Sequence, residues 1–291
     1  MTTDLSTDPM LAASQASVAG FGGISATLGR IPGQPTRLSP YQGLIIGTVS
    51  VIVFLSVWQW VASVRLVPAL FLPGPLDIVA AFRSLIRGGK LWNDMWVSFS
   101  ELALGYVLAV VVALPLGLLM GWYRRLNYVL DPYITFLYNA PRISLLPLFI
   151  VWFGIGISSK IAIVFLGAFF AILINTAVGV RNLDSSLLRS ARSFCASDAQ
   201  IFRTVALPGS VPFILTGLRL GVAHALIGVV VGELVAAQAG LGLMMATAGA
   251  TFQTSKVFAG VIIFAGAGMI FNYALLRMEQ RFQSWKPSER G

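Results

Sequence analysis

Apolar positions in this chain run on in long blocks. Charge-free stretches of about 20 residues, the length at which a helix crosses the hydrocarbon core of a bilayer, fall at residues 43–62, 102–122, 161–180 and 257–276. Two more are each interrupted by one charge: residues 132–159 by Arg142 and residues 212–232 by Arg219. Six spanning helices are therefore expected, and the fold class is all-α, a polytopic membrane protein. Residues 234–255 are also uncharged but rich in Gly, Ala, Gln and Thr, and read as a re-entrant or interfacial segment. In residues 63–100, Leu72-Pro73-Gly74-Pro75 is a turn, and residues 76–86 carry apolar positions at helical spacing.

Composition supports lipid as the solvent. Of 291 residues, 57% are hydrophobic and 11% charged, against roughly 25% charged in soluble domains. The net charge of +9 comes from 20 Lys and Arg scattered between the apolar runs. They do not form the clustered basic face that nucleic acid requires. With the N-terminus inside, 13 of these 20 fall in inner segments and six in outer ones, so the positive-inside rule puts both termini in the cytoplasm. Residues 1–40 read as a disordered cytoplasmic tail rather than a signal peptide. Residues 41–280 form the transmembrane domain and 281–291 a second cytoplasmic tail.

Several chemistries are excluded. A single cysteine, Cys195, and a single histidine, His224, leave no disulfide framework, no zinc ligand set and no catalytic triad. Gly88-Gly89-Lys90 lacks the spacing and hydroxyl of a phosphate loop. No catalytic residue, metal or cofactor is expected. A passage through the membrane, or part of one, remains.

The inner loop between the fourth and fifth spans is the most specific feature. Arg189-Ser190-Ala191 is followed by three residues, Cys195, nine residues, then Val205-Ala206-Leu207-Pro208. This resembles the E-A-A-x-x-x-G-x(9)-I-x-L-P signature of importer-type ABC transporter permeases. Leu146-Pro147-Leu148, Phe153-Gly154-Ile155-Gly156, Ser159-Lys160-Ile161, Gly217-Leu218-Arg219-Leu220 and Gly240-Leu241-Gly242 are similar to the branch importing nitrate, sulfonates and taurine. The likeness covers roughly residues 45–280. Arg189 stands in place of the usual Glu, Ser190 of Ala, Cys195 of Gly and Val205 of Ile. Because Gly turns at positive φ without strain, Cys195 implies a different backbone at that turn.

The resemblance implies a permease in the bacterial plasma (inner) membrane, paired as a homodimer or heterodimer. Two ABC ATPase subunits would dock inside and an extracytoplasmic binding protein outside. Residues 187–204 would be the coupling element, a cytoplasmic helix seated in an ATPase groove. Its contact residues would be Leu187, Leu188, Arg189, Ala191, Phe194, Cys195, Ala199, Ile201 and Phe202, with Leu207 and Pro208 closing the motif. The imported solute would be a small anion, an organic sulfonate or carboxylate. An amphipathic helix lying in the headgroups is the plainer reading of the loop.

Other residues carry paired readings. Arg142 either lines the path and attracts an anion or bonds a backbone carbonyl. His224 is either a hydrogen-bonded packing residue or part of the path. Glu233 is expected to hydrogen-bond the re-entrant segment, and Cys195 to be a buried small residue. All 11 acidic residues are expected in tails, loops or span ends, which disfavours an ion-coupled carrier. A non-transporting membrane scaffold fits the hydropathy but not the loop motif.

Overall fold

The computed structural model describes residues 40–282, all helix and connecting turn, with no strand among the described residues. The elements are α1 (Pro40–Ser63), α2 (Pro75–Arg87), α3 (Lys90–Trp122) and α4 (Arg124–Asn139). A 3-10 turn, Arg142–Leu145, leads into α5 (Leu146–Phe153), followed by α6 (Ile157–Arg181), α7 (Ser185–Ser193) and α8 (Asp198–Ile201). A π turn, Phe202–Ala206, then runs into α9 (Leu207–Ala236), and α10 (Leu241–Ala250) and α11 (Thr254–Phe282) complete the chain. Residues 1–39 and 283–291, which make up most of the two expected tails (1–40 and 281–291), lie outside the described residues.

Five helical runs are long and apolar enough to cross a membrane: Gly43–Ser63, Lys90–Trp122, Ile157–Arg181, Asp198–Ala236 and Thr254–Glu279. The sixth expected span is a broken one. Arg124–Asn139 and Arg142–Phe153 meet at 90°, because Ala140, ahead of Pro141, is extended at φ −66° and ψ 142°. A residue before proline is driven out of the helical region, and proline donates no backbone hydrogen bond. Gly154, at φ 78°, then ends α5, so the tail of the expected third span belongs to this turn and to α6. α10, ten residues long, reaches only about 15 Å, half a bilayer core.

Within the bundle α6 is the central helix, sandwiched between α3 and α9. Lipid is as apolar as a leucine side chain, so helices associate here through close packing rather than hydrophobic drive. Small residues permit it. Gly105, Ala109, Ala113, Gly117 and Gly121 recur every fourth position of α3. A Cβ at Gly117 would come within 2.8 Å of the Leu173 carbonyl oxygen of α6, and one at Gly167 within 2.9 Å of the His224 carbonyl oxygen of α9. Val164, Ala168, Ile172, Ala177, Ala225 and Val229 fill the space between. The Tyr106 hydroxyl donates to the Leu218 carbonyl at 2.9 Å, bridging α3 to α9, and Arg219 of α9 pairs with Glu279 of α11.

Candidate functional site

The loop of the motif is a helix–turn–helix whose ends are each specified locally. Asp184 caps α7, its carboxylate accepting from the Ser186 N–H at 2.7 Å. That backbone hydrogen bond, then the side chain of Ser186, holds the Asp184 carboxyl below the usual carboxylate range. α8 opens with a capping box: Gln200 N–H donates to Ser197 Oγ at 3.4 Å, and Ser197 N–H to Gln200 Oε1 at 2.8 Å.

Between them Cys195 sits at φ 56°. This corrects the expectation of a different backbone: the turn keeps the left-handed geometry that glycine would adopt. Two hydrogen bonds hold it there. Cys195 N–H donates to the Arg192 carbonyl at 2.9 Å and Ala196 N–H to the Ala191 carbonyl at 3.2 Å, the paired bonds of a Schellman helix end. Cys195 is also exposed rather than buried. Cys195→Gly is expected to stabilise the turn by about 1 kcal/mol, the low end of the strain of a non-glycine left-handed residue. Slower limited proteolysis of the loop in detergent would register it; unchanged or faster cleavage would contradict it.

The motif residues divide by exposure. Leu187 and Phe194 are open, Phe194 at 87%, as are Arg189, Ala199 and Leu207, while Leu188, Ala191 and Pro208 are half-buried. Arg189 reaches back to donate to Ser185 Oγ at 3.0 Å. Ile201, at 1% exposure, faces the protein's own interior and is withheld from any partner in this structure. Phe202 is half-buried, edge-on to Trp122 at 5.3 Å between ring centroids. These two anchor the loop to the bundle; Leu187 and Phe194 project from it.

Arg142 and His224, 82 positions apart, line one cavity together. Arg142 Nη1 donates to the Gly167 carbonyl at 3.3 Å, so the carbonyl expected as one alternative is present. Its guanidinium also lies over the Tyr138 ring, 5.5 Å from the centroid. His224 Nδ1 meets the Leu220 carbonyl at 2.8 Å, the hydrogen-bonded packing role, while the residue still borders the cavity.

A buried polar network is the feature the sequence reading missed. α3 begins at Lys90 and not near residue 102, so Glu101 lies inside a helix with 0% exposure. This corrects the expectation that every acidic residue sits in a tail, a loop or a span end. Glu101 pairs with Lys160 of α6, itself 4% exposed. Glu233, fully buried at the far end of α9, accepts from Ser98 Oγ at 2.6 Å and from Gly242 N–H at 2.5 Å. Leu241 N–H donates to Ser98 Oγ at 2.8 Å and Gly240 N–H to Asp94 at 3.2 Å. Three successive N–H groups at the start of α10 are thus taken by α3 and α9, which satisfies the free donors of a helix N-terminus. The expected bond from Glu233 to the re-entrant segment is present. The motifs Ser159-Lys160-Ile161 and Gly240-Leu241-Gly242 are the signals that could have located the rest.

Comparison with known proteins fits this architecture. The family described as binding-protein-dependent transport system inner membrane component matches residues 113–284. SsuC of Bacillus subtilis (strain 168), named for aliphatic sulfonates transport, is 37% identical over 249 residues, 86% of this chain and 90% of that protein. TauC of Escherichia coli (strain K12), named as a taurine transport system permease protein, is 34% identical over 253 residues, 85% of this chain and 91% of that protein. A solved structure of inward-facing conformations of the MetNI methionine ABC transporter matches with TM-score 0.60 over 66% of this chain and 96% of that one. At 19% identity that likeness is one of fold. With a family match over more than half its length and relatives above 30% identity, the chain belongs to the binding-protein-dependent transport system inner membrane components, the permease subunits of ABC importers.

Proposed function

We propose that this permease forms the path for a small organic anion of the sulfonate class, in a pair with a second copy or a relative. The observation that carries the reading is the α7–α8 element. Leu187 and Phe194 stand open on it, at the head of a helical run that continues from Asp198 to Ala236. Two ATPase subunits seat on this loop from the cytoplasm, where both termini also lie, and hydrolysis belongs to those subunits. A binding protein delivers the solute to the opposite face, beside α10. Support for the substrate class comes from the relatives named for aliphatic sulfonates and taurine, and from the +9 charge of the chain, which favours anions by simple electrostatics.

Reconstitution tests the assignment. The permease, its ATPase subunits and its binding protein in lipid vesicles should take up ethanesulfonate only when all three and ATP are present. Uptake by the permease alone, driven by a proton or sodium gradient, would overturn the assignment in favour of a carrier.

A further inference from the structure

The break between α4 and α5 does more than bend a span. Non-helical backbone at membrane depth is tolerated where it is buried in protein or lines a water-filled cavity. Here the break borders an open cavity of about 510 Å³ that it lines together with α6 and α9, within the size range of small-molecule sites. Its polar wall is Arg142, His224, Asn139 and the Tyr138 ring.

Arg142 differs from the two paired cations of the bundle. Lys160 meets Glu101 and Arg219 meets Glu279, whereas among the described residues no carboxylate pairs with Arg142. It contacts one carbonyl and one ring face. A guanidinium has five donors, and the Gly167 carbonyl takes up one, leaving a planar fork suited to two oxygens of a single anion. The Leu220 carbonyl can only accept, so it fixes the His224 proton on Nδ1; Nε2 of the neutral ring is then an acceptor, which leaves the Arg142 guanidinium as the cavity's group for an anion. A charge held inside a membrane without a counter-charge marks a function by default.

We infer that the cavity at the α4–α5 break is an anion subsite, in which Arg142 holds the sulfonate or carboxylate head of the solute in mid-passage. The inference rests on the anion-import reading above and adds the place where the anion pauses. Tyr138 and the Gly167 carbonyl fix the guanidinium in advance, so the fork meets the solute without first having to be ordered.

Thiol labelling tests the subsite directly. The full-length permease, assembled with its ATPase subunits in vesicles, carries Ile227→Cys in a Cys195→Ser background; Cys195 is this chain's single cysteine. Ile227 lines the same cavity and is 55% exposed. The probes are a methanethiosulfonate bearing an ethylsulfonate group and its trimethylammonium counterpart. With Arg142 present the anionic reagent should be favoured by about tenfold or more, the enrichment expected of a focused cationic cleft. Arg142→Gln should abolish that preference and Arg142→Lys retain most of it. Added ethanesulfonate should slow labelling, and the uncharged ethyl methyl sulfone should not.

An unchanged preference in Arg142→Gln overturns the subsite. Equal protection by sulfonate and sulfone does so as well, and that comparison holds even where Arg142→Gln fails to insert. The expected labelling without any ATP-driven ethanesulfonate uptake would instead overturn the sulfonate assignment and leave the subsite standing. Normal uptake with no anionic preference would overturn the subsite alone.

Discussion

Phe194→Ala is expected to weaken ATPase association about thirtyfold and to uncouple hydrolysis from uptake, with the spans inserted and their melting unchanged. Phe194 is 87% exposed at the end of a nine-residue polar helix. With Leu187 and Ala191 it falls at i, i+4 and i+7, one stripe of the helix. A large aromatic held out from a polar loop has the character of an interface anchor, and truncating such a hot spot commonly costs about 2 kcal/mol or more. At 1.4 kcal/mol per tenfold, that is the stated thirtyfold. Phe202→Ala serves as the contrast: its ring packs on Trp122, so its loss should lower the melting temperature and loosen the loop from within. Affinity measured with the purified ATPase, beside thermal melting in detergent, separates the two. Undiminished binding by Phe194→Ala would remove the loop from the coupling mechanism.

Glu233→Ala should be the most damaging single change away from the loop. The carboxylate accepts two hydrogen bonds in a fully buried setting. Its removal strands the Gly242 N–H, frees the Ser98 hydroxyl and opens a void against Gly240 and Gly242, whose backbones press on the Glu233 side chain. A buried donor left unsatisfied costs about 1–3 kcal/mol, and the void adds a packing loss of similar size. The sum is about 3 kcal/mol or more, equivalent to roughly 6–12 °C of melting temperature for a domain of 150–250 residues. Glu233→Gln, which keeps the shape and one acceptor oxygen, should fall between. A melting temperature for Glu233→Ala within a degree of the parent would show that α10 does not depend on this anchor.

Hydropathy found the spans because each is an apolar run, and it missed what charge pairing hides. A boundary set where charge-free sequence begins puts Glu101 and Lys160 outside by construction. Paired across α3 and α6, each makes the other tolerable inside. Pro141 carried the signal for the break in the third span, yet the apolar run on either side of it read as continuous. At Cys195 the residue preference pointed away from positive φ, and two backbone hydrogen bonds outweighed it. The four-residue recurrence of small residues along α3 was legible throughout; hydropathy averages over it, since Gly and Ala do not stand out within an apolar run. Arg142 and His224 could be named from sequence as residues set in apolar spans. That they border one cavity could not, because it depends on how α6 and α9 cross.

The helix that leaves the loop has a mechanical meaning. Asp198–Ala236 is one helical run of 39 residues, roughly 58 Å at 1.5 Å per residue. Phe202, against Trp122, lies near one end and Glu233 near the other. Between them the run is packed to backbone distance on α6, where bulk cannot be displaced. Such a rod has the geometry of a lever arm: each degree of tilt about its Asp198 end would move the far end by on the order of 1 Å. Two hydrogen bonds at Glu233 join that far end to α3 and to the start of α10, so a displacement of a few ångströms there would have to break them or carry both neighbours along.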